Sequence, residues 1–158
     1  MSAADELAIA DQLGRPPRGV AGIAWRCADR HPGVVATQPR LPDGTPFPTL
    51  YYLTCPKLTA ACSTLEASGL MATMTERLGV DGQLAISYRA AHDAYLADRE
   101  QLGQVPEIAG ISAGGMPLRV KCLHVLVGHS LAAGPGVNPL GDEAVALLRA
   151  EGVPCLAR

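Results

Sequence analysis

Residues 49–65 read TLYYLTCPKLTAACSTL, and the character of the chain changes inside them. Leu50, Tyr51, Tyr52 and Leu53 are strand-prone and predict a strand over 49–54. From Cys55 onward the pattern is helical. Pro56 suits a first helical position, where its missing N–H leaves no donor unpaired. Leu58, Ala61, Cys62 and Leu65 then recur on one face until Gly69. Strand-type segments lie before this junction and helical ones after it, which predicts an α+β fold.

Upstream, VAGIAWR (20–26) and residues 34–37 predict two further strands. The stretch QPRLPDGTPFP (38–48) holds four prolines and an Asp43-Gly44 turn, so it is a loop. Three short strands predict a small antiparallel sheet, preceded by a helix over 5–13 that Gly14 and Pro16-Pro17 terminate. Downstream, 71–78 predicts a short helix with Gly79 as its C-cap. Asp81 caps a long helix reaching Leu102, with a stripe of Leu84, Tyr88, Ala91, Tyr95 and Leu102. GQVPEIAGISAGG (103–115) predicts a flexible connection. Met116-Pro117 is expected to open a helix running to Ala133, and a last helix starts near Asn138-Pro139 or Asp142. The expectation is one domain over 1–158, with its core at about 13–150 and five or six helices packed on the sheet. No internal repeat divides it.

With 48% apolar, 18% charged and only 4% aromatic residues, the core must be largely aliphatic and alanine-rich, which favours closely packed helices. A net charge of -2 from 13 basic and 15 acidic residues implies no broad nucleic-acid surface. No run approaches the ~18 apolar residues of a membrane span, and the start MSAADELAIADQLG lacks the basic and apolar regions of an export signal. A cytoplasmic, reducing location is therefore expected, with no membrane insertion. There the five cysteines, an odd number, would be thiols or metal ligands rather than a disulfide framework.

Cys27 ends the first predicted strand, Cys55 ends the third, and Cys122 lies in a later helix. Sulfurs supplied singly by separate elements suit a multi-iron cluster, which accepts thiolates from several directions. Cys55, at a helix N-terminus, has a position that favours a thiolate. Cys62 falls on an apolar helix face and reads as core, and Cys155, in the tail, reads as incidental. His31 and His129 are candidate fourth ligands. On a regular helix, His124 is ~200° round from Cys122, and His129 is ~10 Å along the axis. Ligand bonds of only ~2.0–2.3 Å then prevent Cys122 from sharing one zinc ion with either. A mononuclear zinc site would need one helical ligand plus a histidine from elsewhere.

Arg119 and Lys121 follow Gly114-Gly115 and are expected in the first turns of their helix. With Asn138 and Asp142 from the GPGVNPLGD loop, they form a candidate site for an anionic substrate. His92, Tyr95 and Arg99 lie within mutual reach on the long helix. His92, Tyr95 and His124 are the candidate proton-moving residues. No G-x-S-x-G or H-E-x-x-H motif occurs, and Glu66 has no acid partner at a diagnostic spacing. Three readings stay open: iron–sulfur or metal-dependent redox, lyase or sulfur-handling chemistry; a mononuclear zinc protein; and a non-catalytic adaptor for a cell-division protein or RNA.

PRLPDGTPFPTLYYLTCPKL (39–58), AAHDAYLADR (90–99) and AGGMPLRVKCLHVLVGHSLAAGPGVNPLGDEA (113–144) together resemble the actinobacterial family known only as domain of unknown function 501. The resemblance runs from about Leu13 to Leu148. It implies a small cytoplasmic actinobacterial protein and, through neighbouring genes of that family, a link to cell division or phosphate metabolism, but no activity. The family pattern resembles Cys-Pro where this chain has Cys27-Ala28, so the proline is lost and the cysteine kept. Cys55, Cys122, His124, His129, Asn138 and Asp142 lie in segments that match the family, whereas Cys62 and Cys155 do not.

Overall fold

A computed structural model describes residues 1–157. Helix α1 (Ala3–Leu13) leads into β1 (Val20–Arg26), β2 (Pro32–Thr37) and β3 (Tyr51–Leu53). These are followed by α2 (Pro56–Ala67), α3 (Leu70–Val80), α4 (Gly82–Leu102), α5 (Leu123–Ala133) and α6 (Pro139–Ala150). The strands form one antiparallel sheet in the order β1-β2-β3, with Val34 opposite Leu53 and Ala36 opposite Tyr51. The α+β expectation is met.

Sequence signals account for most of the boundaries. Ser2 and Asp5 form a reciprocal capping box on α1, Pro56 opens α2, and the Asp81 side chain accepts the Leu84 N–H at the start of α4. Asn138 does the same for α6 through the Gly141 N–H. Gly79, expected to cap α3, lies inside it, because Asp81 both ends α3 and begins α4.

The largest departure is at 117–133. Helix α5 starts only at Leu123, and residues 113–118 are turns with a cis Met116–Pro117 peptide. Arg119 and Lys121 therefore belong to the connection before α5 and not to its first turn. The 103–115 segment carries a 3-10 turn at Pro106–Ile108 and buries Val105, Ile108 and Ser112.

Helix α5 is the centre of the molecule and packs on β3, α2 and α6. It has buried residues on most of its circumference, including Leu123, Leu126, Val127 and His129. Two glycines permit its close neighbours. A Cβ at Gly128 would lie 2.9 Å from the Tyr51 carbonyl oxygen, and one at Gly141 would strike the Leu126 carbonyl. Helix α4 contributes the stripe Tyr88, Ala91, His92, Tyr95 and Arg99 at helical spacing. Its polar ends tie down irregular chain: Tyr95 Oη accepts the Leu50 and Tyr51 N–H groups at 2.7 and 3.3 Å. The guanidinium of Arg99, 3% exposed, donates to the Pro48 and Ile108 carbonyls at 2.8 Å each. Burial lowers the Arg99 pKa from its ordinary value. Among the described residues, no helix is long and apolar enough to cross a membrane.

Candidate metal centre

Because α5 starts late, Cys122 is its N-cap in extended conformation, with φ -151° and ψ 113°. The helical separation of Cys122 from His124 therefore does not apply. Glu66, in the last turn of α2, reaches the same place. Its Oε2 accepts the Leu123 N–H at 2.9 Å, one of the donors left unpaired at the start of a helix. One donor atom each from Glu66, Cys122 and His124 lies within 4.8 Å of the other two.

His124 is held on both sides. Its Nδ1 is 3.2 Å from Glu66 Oε1, and its Nε2 is 3.1 Å from the Thr59 carbonyl oxygen and 3.4 Å from Ser63 Oγ. A carbonyl oxygen only accepts, so Nε2 carries a proton, and an ionised Glu66 favours a second proton on Nδ1. Both contacts favour the doubly protonated ring. Hydrogen bonding to Cys122 is the main cause that raises its pKa to about 9, and the Glu66 charge adds to it against the opposing effect of burial. Cys122 and His124 also line an open cavity of about 390 Å³, together with Tyr51, Leu53 and Thr59. The three donors are partly exposed, so the cluster is accessible.

Loss of the Nδ1 proton together with the Cys122 thiol proton would leave a thiolate, an imidazole nitrogen and a carboxylate within 4.8 Å of one another. The Nε2–H stays on the Thr59 carbonyl, and such a contact is how proteins orient metal-ligating histidines. A sulfur, nitrogen and oxygen set of this kind fits Zn²⁺ or a similar borderline ion.

Cys27, Asp29 and His31 form a second group within 4.8 Å, in the turn between β1 and β2. It joins two residues singled out from sequence, Cys27 and His31. The Cys27 N–H donates to the His31 carbonyl at 3.0 Å, and the Arg30 N–H donates to the Cys27 carbonyl at 2.8 Å. Asp29 and His31 are exposed. No hydrogen bond to another side chain or to the backbone holds the His31 ring among the described residues, so this group lacks the orienting contacts of the first.

The other predicted residues are spread out. Among the described residues, Cys27, Cys55 and Cys122 form no common group within 4.8 Å. Cys55 Sγ instead lies 3.0 Å from the Sγ of Cys155, a residue expected to be incidental that is 4% exposed. Burial pushes the Cys155 thiol up to about 12, as it does the Cys62 thiol in the core. His129 is fully buried and accepts from Asn138 Nδ2 at 3.2 Å. Asn138 is thus committed to capping and to this contact, and it is fully buried, away from any exposed anion site. Asp142 accepts from Ser130 Oγ and the Gly136 N–H. Tyr95 is enclosed, with its hydroxyl on the Leu50 and Tyr51 amides. His92 Nδ1 meets Ser112 Oγ at 2.7 Å, and His92 lines an open cleft with Arg119 and Lys121.

Glu66 is the donor that sequence reasoning passed over, because it was weighed only as half of a carboxylate pair. The readable signal was the Cys122-Leu123-His124 pair of donors, which meets only when its first member lies outside the helix. The chain matches no curated protein and no solved structure. The family described as "Protein of unknown function (DUF501)" matches residues 23–146, which include Glu66, Cys122 and His124, and the chain belongs to that family.

Proposed function

We propose that this chain binds a single divalent metal ion, Zn²⁺ in type, through Glu66, Cys122 and His124. The observation that carries this reading is the doubly held His124 ring. Nδ1 faces a carboxylate and stands beside a thiol, while Nε2–H is fixed by the Thr59 carbonyl. One ion accounts for the convergence better than an iron–sulfur cluster does, because only one of the three cysteines expected to act together belongs to the group. Three protein ligands leave a fourth position toward the cavity beside Tyr51 and Thr59. That is the arrangement of a catalytic rather than a purely structural zinc site. A ligand in that position would be polarised by the ion, and His124, once ligated, would no longer move protons.

Metal analysis of the purified full chain tests the assignment. About one equivalent of zinc is expected, with no acid-labile sulfide. Cobalt substitution should give the visible bands of a tetrahedral site and a thiolate charge-transfer band. Cys122→Ser should remove that charge-transfer band and weaken zinc binding by at least ~100-fold, as loss of one ligand does. Zinc uptake near neutral pH should release about two protons, one from the thiol and one from the imidazolium. Iron with stoichiometric sulfide, or zinc retained unchanged in Cys122→Ser, would overturn the assignment.

A further inference from the structure

On another face, α4 and the connection before α5 enclose an open cleft of about 730 Å³. Arg89 and His92, three residues apart on α4, line one side, and Arg119 and Lys121 line the other. Among the described residues, the side chains of Arg89, Arg119 and Lys121 enter no salt bridge. Three cations thus face one space without protein counter-charges.

The backbone that carries two of them is pinned residue by residue. The Arg119 carbonyl accepts from Tyr88 Oη at 3.0 Å, the Val120 N–H donates to Thr75 Oγ1 at 3.0 Å, and the Lys121 N–H donates to the Gly114 carbonyl at 2.7 Å. Gly115 has φ +90°, and a Cβ there would lie 2.8 Å from the Arg119 carbonyl oxygen and 3.0 Å from the side-chain stems of Arg119 and Lys121. The turn therefore closes on a glycine and carries both cationic stems over it. Such pre-ordering reduces what binding must organise.

His92 completes the cleft. It is 8% exposed, and the Ser112 hydroxyl, itself donating to the Met116 carbonyl at 3.3 Å, holds its Nδ1 at 2.7 Å. The Met116 backbone also hydrogen-bonds the ring, which lines the cleft. The charged groups acting on the ring are Arg89, Asp93 and Arg99, all on α4. Asp93 is exposed and does not line the cleft. Ile111 and Leu118, 59% and 73% exposed, add apolar surface at the cleft wall.

We infer that this cleft is a binding site for a phosphate monoester, with Arg89, Arg119 and Lys121 around the phosphate, His92 in the cleft wall, and the organic portion on Ile111 and Leu118. A phosphate monoester carries about two negative charges at neutral pH and several strong acceptor oxygens, which matches three unpaired cations better than a single carboxylate does. The site shares no lining residue with the metal-site cavity, so this reading stands apart from the metal assignment.

Titration of the full chain with inorganic phosphate and with phenyl phosphate, followed by amide and His92 ring NMR shifts, tests the inference. Potassium chloride at matched ionic strength is the control. Saturable shifts confined to residues 89–92 and 111–121 are expected, with phenyl phosphate tighter than inorganic phosphate. Arg89→Ala and Lys121→Ala should each weaken binding ~5-fold and the double variant ~20-fold or more, as for exposed charge-assisted contacts. Lys57→Ala, an exposed change on α2, should leave it unaltered. Phosphatidate vesicles form the second arm: co-sedimentation lost in the double variant assigns the phosphate to a lipid headgroup, and its absence with phenyl phosphate bound assigns it to a soluble ester. Equal shifts with chloride, or unchanged affinity in the double variant, would overturn the proposal. Cys122→Ser should bind phenyl phosphate normally, which separates a failure here from a failure of the metal assignment.

Discussion

His124 and His129 stand five residues apart on α5 and have opposite electrostatic fates. His124, near the N-terminus, keeps a quarter of its side chain exposed and faces Glu66, and its pKa is raised to about 9. His129 is fully buried, stacked on Tyr51 at 5.8 Å and edge-on to Tyr95 at 5.0 Å. Burial pulls its pKa down to about 4, beyond what the more distant charges of Asp98 and Asp142 restore. Five residues rotate a side chain by ~500°, so the two rings point ~140° apart. The comparison teaches that neighbours, not residue type or place along one helix, decide which histidine holds a proton. A ring with an anionic neighbour and an orienting carbonyl keeps its proton. An enclosed, stacked ring is a packing element.

The largest effect that would test this contrast is on stability. His129→Ala removes an enclosed aromatic ring and one of the two acceptors of the Asn138 amide, at an expected cost of about 2–4 kcal/mol by urea denaturation. A loss below about 1 kcal/mol would show that the ring is not part of the core. The same variant, if folded, should bind zinc like the parent.

Next in size is the pH dependence of stability. For His124 the folded pKa lies above the unfolded one, so its contribution is fully present below ~6.5 and is lost as pH rises through about 9. For His129 the folded pKa lies below the unfolded one. The unfolded chain then takes up the proton first, and stability falls as pH drops from ~6.5 toward about 4. The two slopes oppose each other and place a maximum near pH ~6.5 in metal-free protein. Between pH 6.5 and 9.5 the alkaline slope should amount to about 1–2 kcal/mol after allowance for the partial exposure of His124. His124→Gln should flatten that limb and leave the acid limb intact. An unchanged alkaline slope in that variant would break the contrast.

The smallest effect concerns Ser63. Its hydroxyl is exposed, donates to the Thr59 carbonyl at 3.0 Å and touches His124 only at 3.4 Å. Ser63→Ala should change stability by less than ~0.5 kcal/mol and leave the His124 titration in place. A large fall in the His124 pKa would transfer the orienting role from Thr59 to Ser63.

The two halves of the candidate metal centre were unequally legible. Cys122 was readable as a candidate ligand because single sulfurs from separate elements suit a cluster, whereas His124 was expected to move protons. Their union was not, since proline at 117 suggested an earlier helix start than the one at Leu123. Moving Cys122 from helix to N-cap changes its direction without changing the sequence spacing. Cys155 shows the same limit from the other side. A tail cysteine reads as incidental, but the 3-10 turn Pro154–Leu156 buries it against Cys55, 100 residues earlier.

Local signals in the chain account for three strands before Cys55, helices after it, proline and Asp or Asn starts, and a core-facing Cys62. These follow from periodicity, turn chemistry and capping, which act over a few residues. Long-range packing brings Glu66 to Cys122 and His124, sets Arg89 and His92 across from Arg119 and Lys121, and seals His129 while leaving His124 partly exposed. Those outcomes depend on how α2, α4 and α5 pack. Packing is settled by burial summed over the whole chain, and no spacing within one segment encodes it.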